Sequence, residues 1–279
     1  MKEINSNDLD FYDSNGYVIV KPLELMDPED RKNAILEQYI DDLMEFIASV
    51  IKMEAERLGM KDDYTTEQLL HSVLGNIKKK NRDSSSWIYQ TINNSNIFKK
   101  FIYNLELDQI IKKLLHMGDL NHLATVNPAL RIDMPFDNDN IRDWHQDSHY
   151  FLDNEKGSDA LVTWICLGDA YKENGSIFVC PKSHKEGRLN SKHSTGSSGV
   201  SEQFVTDNDI VNKYEKIIVE AKKGDVVLFN MDLIHKSGNN ISKFIRYTTQ
   251  LRYSNLGKLD YTPPQTSINY RKYNRPFVK

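Results

Sequence analysis

Phe244-Ile245-Arg246-Tyr247-Thr248-Thr249-Gln250-Leu251-Arg252-Tyr253 alternates in character along its length. In an extended chain, side chains two apart share a face, so Phe244, Arg246, Thr248, Gln250 and Arg252 would line one side of a strand. Working back from it, Asp225 to Phe229, Lys216 to Ala221 and Ile177-Phe178-Val179 are further short β-prone runs, the last following the turn Lys172-Glu173-Asn174-Gly175. Ala160 to Gly168 and Ala129 to Met134 complete the set. Short strands separated by turn chemistry predict an all-β sandwich or barrel for this half of the chain. Residues 188 to 201, rich in Ser and Gly, read as a mobile surface loop.

The first half reads differently. Asp13-Ser14-Asn15-Gly16 is turn chemistry ahead of a short strand, Tyr17-Val18-Ile19-Val20. Asp27-Pro28-Glu29-Asp30 combines a capping Asp with Pro at the first helical position, and Ile35, Leu36, Tyr39, Ile40, Leu43, Phe46, Ile47, Val50 and Ile51 then recur at helical spacing. One long amphipathic helix is expected to end near Gly59, a second to start at Thr65-Thr66-Glu67, and one or two more to fill Ser85 to Met117. The fold class expected is therefore α+β: a single domain over 1–279, with 27–120 as helical support and 121–260 as the β core.

Composition narrows the function. With 36 Lys+Arg against 40 Asp+Glu, the net charge of −4 leaves no long-range positive field for nucleic acid. No apolar run approaches the length that spans a membrane, and the first twenty residues carry acids where a signal peptide needs a basic start. A cytoplasmic protein is expected. Cys166 and Cys180 fall in neither a zinc-like nor a CxxC spacing and read as buried apolar residues.

Trp144-His145-Gln146-Asp147 is the segment that points to chemistry. On an extended backbone His145 and Asp147 share a face and can converge on one ion. Alone the pair carries little, because eight His and 25 Asp in 279 residues produce about 0.7 such pairs by chance. Isolated, it reads first as a structural hydrogen-bonded pair. His235, downstream of the strand-like Gly224 to Phe229, raises its weight: two imidazoles and a carboxylate with other positions open suit a non-heme Fe(II) that binds a cosubstrate and dioxygen. Arg246, eleven residues further on, offers a planar fork for the distal end of a dicarboxylate such as 2-oxoglutarate, and Ser237 could add a hydroxyl donor. His149 would share the strand face of His145 and Asp147 by parity, whereas His184 reads as part of a turn.

These residues resemble, in order, the phytanoyl-CoA dioxygenase family of Fe(II)/2-oxoglutarate oxygenases. The matching features are Phe11 to Val20; Trp144-His145-Gln146-Asp147; Glu173-Asn174-Gly175-Ser176-Ile177 with Pro181-Lys182-Ser183-His184-Lys185; Lys223-Gly224-Asp225; and His235-Lys236-Ser237-Gly238-Asn239 with Arg246. The resemblance implies a double-stranded β-helix (a cupin-like jelly roll), iron held by His145, Asp147 and His235, and 2-oxoglutarate held by Arg246 and Ser237. It also implies that Gln146 and Trp164 line the cosubstrate pocket. Where many relatives carry a Lys ahead of the iron motif, this chain has Arg131-Ile132-Asp133-Met134-Pro135. The activity implied is a dioxygenase hydroxylating a small organic molecule. A non-catalytic jelly-roll ligand-binding protein is the competing reading, and the same ligands could serve desaturation, epimerisation or ring closure.

Overall fold

The computed structural model describes residues 4–21, 35–60, 63–103, 107–119, 122–151, 159–195 and 203–257. The helix start expected at Asp27 lies outside them. Helix α1 (Ser6–Asn15) leads into strand β1 (Tyr17–Val20), and α2 (Ile35–Arg57) is the long amphipathic helix expected from its apolar spacing. Thr65 begins the next helical run with a reciprocal capping box to Gln68: α3 (Thr66–Gln68), a π-helical turn over Leu69–Val73, and α4 (Leu74–Lys80). The stretch from Ser85 to Met117 divides into α5 (Arg82–Asn94), α6 (Asn96–Tyr103) and α7 (Asp108–Leu114).

Two sequence expectations change. Asp13 to Gly16 is the end of α1, not a free turn: Asn5 caps the helix by accepting from Asp8 N–H at 2.9 Å, and Gly16 closes it in the left-handed conformation with its N–H on Tyr12 O at 2.7 Å. Turn residues at a helix C-terminus look the same in sequence as turn residues elsewhere. Residues 191–194, expected as part of a loop over 188 to 201, form β5 (Ser191–Ser194) and pair antiparallel with β6 (Gln203–Thr206); residues 196–202 lie outside the described residues.

The remaining strands form two sheets. The larger has the order β1-β8-β3-β10-β2, with β2 at Leu123–Asp133, β3 at Ala160–Cys166, β8 at Val226–Asn230 and β10 at Arg246–Asn255, all neighbours antiparallel. The smaller places β4 (Phe178–Val179) between β7 (Ile217–Ile218) and β9 (His235–Lys236), and a bridge from His235 to His145 extends it. This is an α+β fold whose β part is a double-stranded β-helix, or jelly roll, flanked by the N-terminal helices.

Alternation sorts the side chains between two cores. Leu161, Ile165, Leu228, Tyr247 and Leu251 turn toward the helices and pack with Ile47, Ile51, Ile77 and Phe98. Val162, Trp164, Cys166, Val227 and Phe229 point the other way, into the space between the sheets, against Ile177 and Val179. Strand β3 is buried at every position, which explains its unbroken apolar run. The inward face of β10 carries Thr248, Gln250 and Arg252 into the same layer, opposite Cys166, Trp164 and Val162, and Arg246 opposite Asp133 of β2.

Close backbone approach holds the segment after His235. A Cβ on Gly238 would lie 2.3 Å from Ser176 O, and one on Gly175, whose φ is +83°, 2.8 Å from Asn240 N. Gly238→Ala must push two backbones apart, so it should lower unfolding free energy by about 1–3 kcal/mol, the ordinary cost of overpacking. Urea unfolding of the variant measures this, and an unchanged midpoint would contradict the contact.

Candidate metal centre

The backbone fixes the two histidines against each other. His145 N–H donates to His235 O at 2.9 Å and His235 N–H to His145 O at 3.0 Å, which brings the ring centroids to 4.2 Å. Each ring is then turned by the same device. Nδ1 of His145 lies 2.6 Å from Asp143 O, and Nδ1 of His235 lies 2.9 Å from Leu233 O. A carbonyl only accepts, so Nδ1 carries the proton in both rings and Nε2 presents its lone pair inward.

Asp147 completes the group. Its Oδ1 is 3.4 Å from His145 Nε2 and 3.7 Å from His235 Nε2, and one donor atom from each of the three buried residues lies within 4.8 Å of the others. The other oxygen, Oδ2, accepts from Arg252 Nε at 3.0 Å and Nη2 at 2.9 Å. Burial opposes the charge on Asp147, but the Arg252 guanidinium holds its carboxyl far below the usual range. Burial, then the neighbouring His145, pushes His235 down to about 3. Carboxylate and neutral imidazole are the forms a metal ion needs.

A cavity of about 260 Å³ opens over these three residues, its wall formed in part by Tyr89, Arg131, Arg142, Ser237, Gln250 and Arg252. A larger cavity, about 550 Å³, lies between His71, Lys78 and Phe136, but the donor cluster at His145 is the one found among the described residues. Chemistry, not size, identifies the site.

The structure places the other expected residues unevenly. Ser237 lines the cavity, its hydroxyl accepting from Arg131 Nη2 at 3.1 Å and from Arg142 N–H at 3.1 Å. Arg246 is buried one layer behind: Nη2 binds Asp133 Oδ2 at 2.9 Å and Gly175 O at 2.8 Å, Nε binds Asn174 O at 3.1 Å, and the guanidinium lies 5.1 Å from the Trp164 ring centre. Asp133 also accepts from Arg131 Nη2 at 3.0 Å; burial opposes its charge, and Arg131 and Arg246 together lower its pKa nonetheless. Trp164 is fully buried behind Arg246. Gln146 turns away from the cavity, its amide donating to Gly187 O at 2.8 Å and Asp232 O at 2.6 Å and accepting from Leu189 N–H at 2.8 Å, so it ties the metal-motif segment to its neighbours.

His149 does not share the face of His145, because the chain leaves extended geometry at Asp147 and enters helix α8 (Ser148–Phe151). Its ring instead stacks on Phe204, with centroids 5.7 Å apart. His184 packs on Gly16 and reaches Asp13 O at 3.2 Å, far along the chain from the metal residues. Arg252, Arg142 and Tyr89 line the cavity and were passed over by sequence reasoning; for Arg252, its place on the inward face with Arg246 was the available signal.

The jelly roll and its buried two-histidine, one-carboxylate donor set define the class: a β-helix protein with a donor cluster able to hold a metal ion. Residues 12–248 match the model of the phytanoyl-CoA dioxygenase (PhyH) family, and the chain belongs to that family. It is 31% identical over 107 residues to phytanoyl-CoA dioxygenase 1 of Oryza sativa subsp. japonica, covering 38% of this chain and 36% of the relative. It is 31% identical over 103 residues to the peroxisomal phytanoyl-CoA dioxygenase of Homo sapiens, covering 37% of this chain and 30% of the relative. These matches thus span about a third of the relatives' own lengths. The fold is shared with EctD from S. alaskensis with bound Fe (TM-score 0.56, 16% identity, 93% of this chain and 80% of that one). It is shared too with the non-heme alpha ketoglutarate dependent carbocyclase SnoK (TM-score 0.54, 16% identity, 90% and 84%).

Because Arg252 holds one oxygen of Asp147 and leaves the other facing the imidazoles, Arg252→Leu should weaken Fe(II) binding by roughly 10- to 100-fold, the range for loss of a partner behind a metal ligand. Arg252→Lys should recover part of the affinity. Anaerobic equilibrium dialysis of the two variants checks this; wild-type affinity in Arg252→Leu would remove Arg252 from the site.

Proposed function

We propose that the protein is an Fe(II)- and 2-oxoglutarate-dependent dioxygenase that hydroxylates a small organic molecule. The observation that carries this reading is the buried cluster of two Nε2 atoms and one carboxylate oxygen, within 4.8 Å, opening on one cavity. The donor set fits the ion: two imidazoles and one carboxylate leave positions for a chelating cosubstrate and O2, as non-heme Fe(II) oxygenation requires. His145, Asp147 and His235 would hold the iron. When bound, iron and 2-oxoglutarate supply the oxidising chemistry, and the protein supplies orientation and a dry cavity.

Ser237 and Arg246 are the proposed hold on the cosubstrate's distal carboxylate, with Trp164 packed behind Arg246 and Gln146 bracing the motif from the side away from the cavity. Arg131 faces the cavity and donates to Ser237, whereas Arg246 reaches it only past Asp133, so Arg131 is a second candidate for the same carboxylate. Comparing Arg246→Lys with Arg131→Ala by 2-oxoglutarate titration identifies the anchor: the true one loses its bidentate fork or its charge, and its Kd rises while iron affinity holds.

We read the described residues as parts of one domain, 1–279, since helices and sheet share a core. A cytoplasmic location goes with this reading, supported by two free, buried thiols, Cys166 and Cys180. Among the described residues no helix is long and apolar enough to cross a membrane. No nucleic acid or membrane partner is proposed.

Three measurements test the assignment. Adding Fe(II) and 2-oxoglutarate anaerobically should produce a weak metal-to-ligand absorption band, which a protein that only binds ligands would not give. His235→Ala should lose stoichiometric Fe(II) binding and keep its circular dichroism, because the imidazole is a donor and not a core-filling group; unchanged affinity would sink the metal assignment. Once a substrate is in hand, the product should gain one oxygen labelled from ¹⁸O₂, whereas loss of two hydrogens would replace hydroxylation by desaturation or ring closure.

A further inference from the structure

We infer that the substrate is elongated: a reacting end at the metal, a neutral polar linker such as an amide, and an apolar group bound roughly 10 Å away in the larger cavity. The inference deepens the Fe(II)/2-oxoglutarate reading and rests on it for the reacting end. Three cavities among the described residues adjoin. The metal cavity, about 260 Å³, shares Tyr89 and Asn140 with a second of about 270 Å³, and that one shares Lys78 and Arg82 with the cavity of about 550 Å³. The cosubstrate must occupy part of the first, so only a small part of a substrate fits there, whereas the third has the volume of an ordinary ligand pocket.

Helix α5 sets the three in line. Arg82, Ser85, Ser86, Tyr89 and Gln90 fall at i, i+3, i+4, i+7 and i+8, one face of the helix, and all five line the middle cavity. Ile88 and Ile92 turn the other way, into the core. Arg82 and Tyr89 are two turns apart, which gives the roughly 10 Å between the outer cavities. Between them Ser85 and Ser86 are short side chains that leave the passage open and offer hydroxyls. Tyr89 stands at the metal end, its own hydroxyl donating to Leu130 O.

The far end has a different chemistry. Met134, Pro135, Phe136 and Ile245 stand in the wall of the larger cavity. Phe136 is held at φ +56°, which bulky residues rarely adopt, with its N–H on Asn240 O at 2.8 Å, and 77% of its surface is exposed. A strained backbone that keeps an aromatic ring on a cavity wall suits a ligand clamp. His71 stands in the same wall on the π-helical turn, and its ring accepts from Ile245 N–H at 3.1 Å. Such turns concentrate at functional sites. In the passage Lys78 is paired with Asp137 and Asp139, and Arg82 with Asp139 at 3.1 Å. A charged linker would lose water there and find these counter-ions taken, whereas a neutral polar one meets the hydroxyls of Ser85 and Ser86.

The test titrates the protein, loaded anaerobically with Fe(II) and saturating 2-oxoglutarate, with N-benzylhexanamide, N-methylhexanamide and N-benzylhexylamine. Calorimetry gives the affinities, and the absorption band reports whether the aliphatic end reaches the metal. The benzyl amide should perturb the band and bind about tenfold or more tightly than the methyl amide, the margin of one buried ring. The amine, protonated at neutral pH, should bind about tenfold or more weakly than the benzyl amide, since it carries its charge into the passage. Ser86→Trp fills the passage from an exposed helix position and should remove the benzyl advantage while Fe(II) affinity holds. Phe136→Ala should reduce the same advantage from the other end. Equal affinities for the two amides, binding by neither, an amine as tight as the benzyl amide, or an advantage that survives in Ser86→Trp would overturn the inference. So would tight binding of the benzyl amide that leaves the band unmoved. A band that never forms in the wild type would instead overturn the dioxygenase reading, and the calorimetric comparison, which the metal-free protein also permits, would still decide whether the three cavities bind one elongated molecule.

Discussion

The pair of backbone hydrogen bonds between His145 and His235 is the constraint on which the site depends. Ninety residues of chain separate the two, yet each donates to the other's carbonyl, at 2.9 and 3.0 Å. That bridge adds the metal motif to the edge of the smaller sheet and sets both Cβ atoms on the inner face. Everything nearer the metal is side-chain adjustment on a fixed frame: the carbonyls of Asp143 and Leu233 choose the tautomers, and Arg252 chooses which oxygen of Asp147 faces in. The jelly roll is rigid where the chemistry needs it because both faces of its larger sheet are buried, one under helices and one under the smaller sheet.

The inward face of β10 gives a second layer of organisation. Arg246 and Arg252 leave the same strand on the same side, six residues apart, and each meets a carboxylate from elsewhere in the chain, Asp133 and Asp147. Arginine suits both places, since it stays protonated when buried and its fork can satisfy several acceptors at once. Removing either carboxylate would leave a guanidinium stranded in low dielectric, so these pairs constrain each other more than they stabilise the fold outright. Asp133 further links Arg246 to Arg131, so the buried guanidinium and the one on the cavity wall are held by one carboxylate.

Much of this was legible in the chain, for identifiable reasons. Periodicity located α2 and the strands of the larger sheet because one face of each is buried without interruption. His145, Asp147 and His235 were legible as a group because the ordered set of motifs around them, and not the His145-Asp147 pair alone, carries the resemblance. The helix at Ser6–Asn15 was not, since most of its side chains are polar and its stop signal is indistinguishable from a turn. The position of His149 was misread because parity along a strand holds only while the strand lasts, and the chain turns helical at Ser148. Gln146 was expected at the cosubstrate, but its neighbours along the motif face in, so alternation turns its own amide out toward Gly187 and Asp232. Arg252 carried a correct face assignment and no motif, and only the fold could show that Asp147 is its partner.

A site prepared in this way has a thermodynamic consequence. In small metal-organised domains the ligands scatter when the ion leaves, and binding energy is largely folding energy. Here the imidazoles are already oriented by carbonyls, the carboxylate is already ionised against Arg252, and the surrounding core is packed from apolar side chains. Little ordering is left for the ion to perform. Metal binding should therefore add stability by mass action, in proportion to its concentration over its Kd, without becoming a condition of folding. The same preparation means that the charge pattern around the cavity exists before any ligand arrives, and selection among substrates can act on binding itself and not on a rearrangement that follows it.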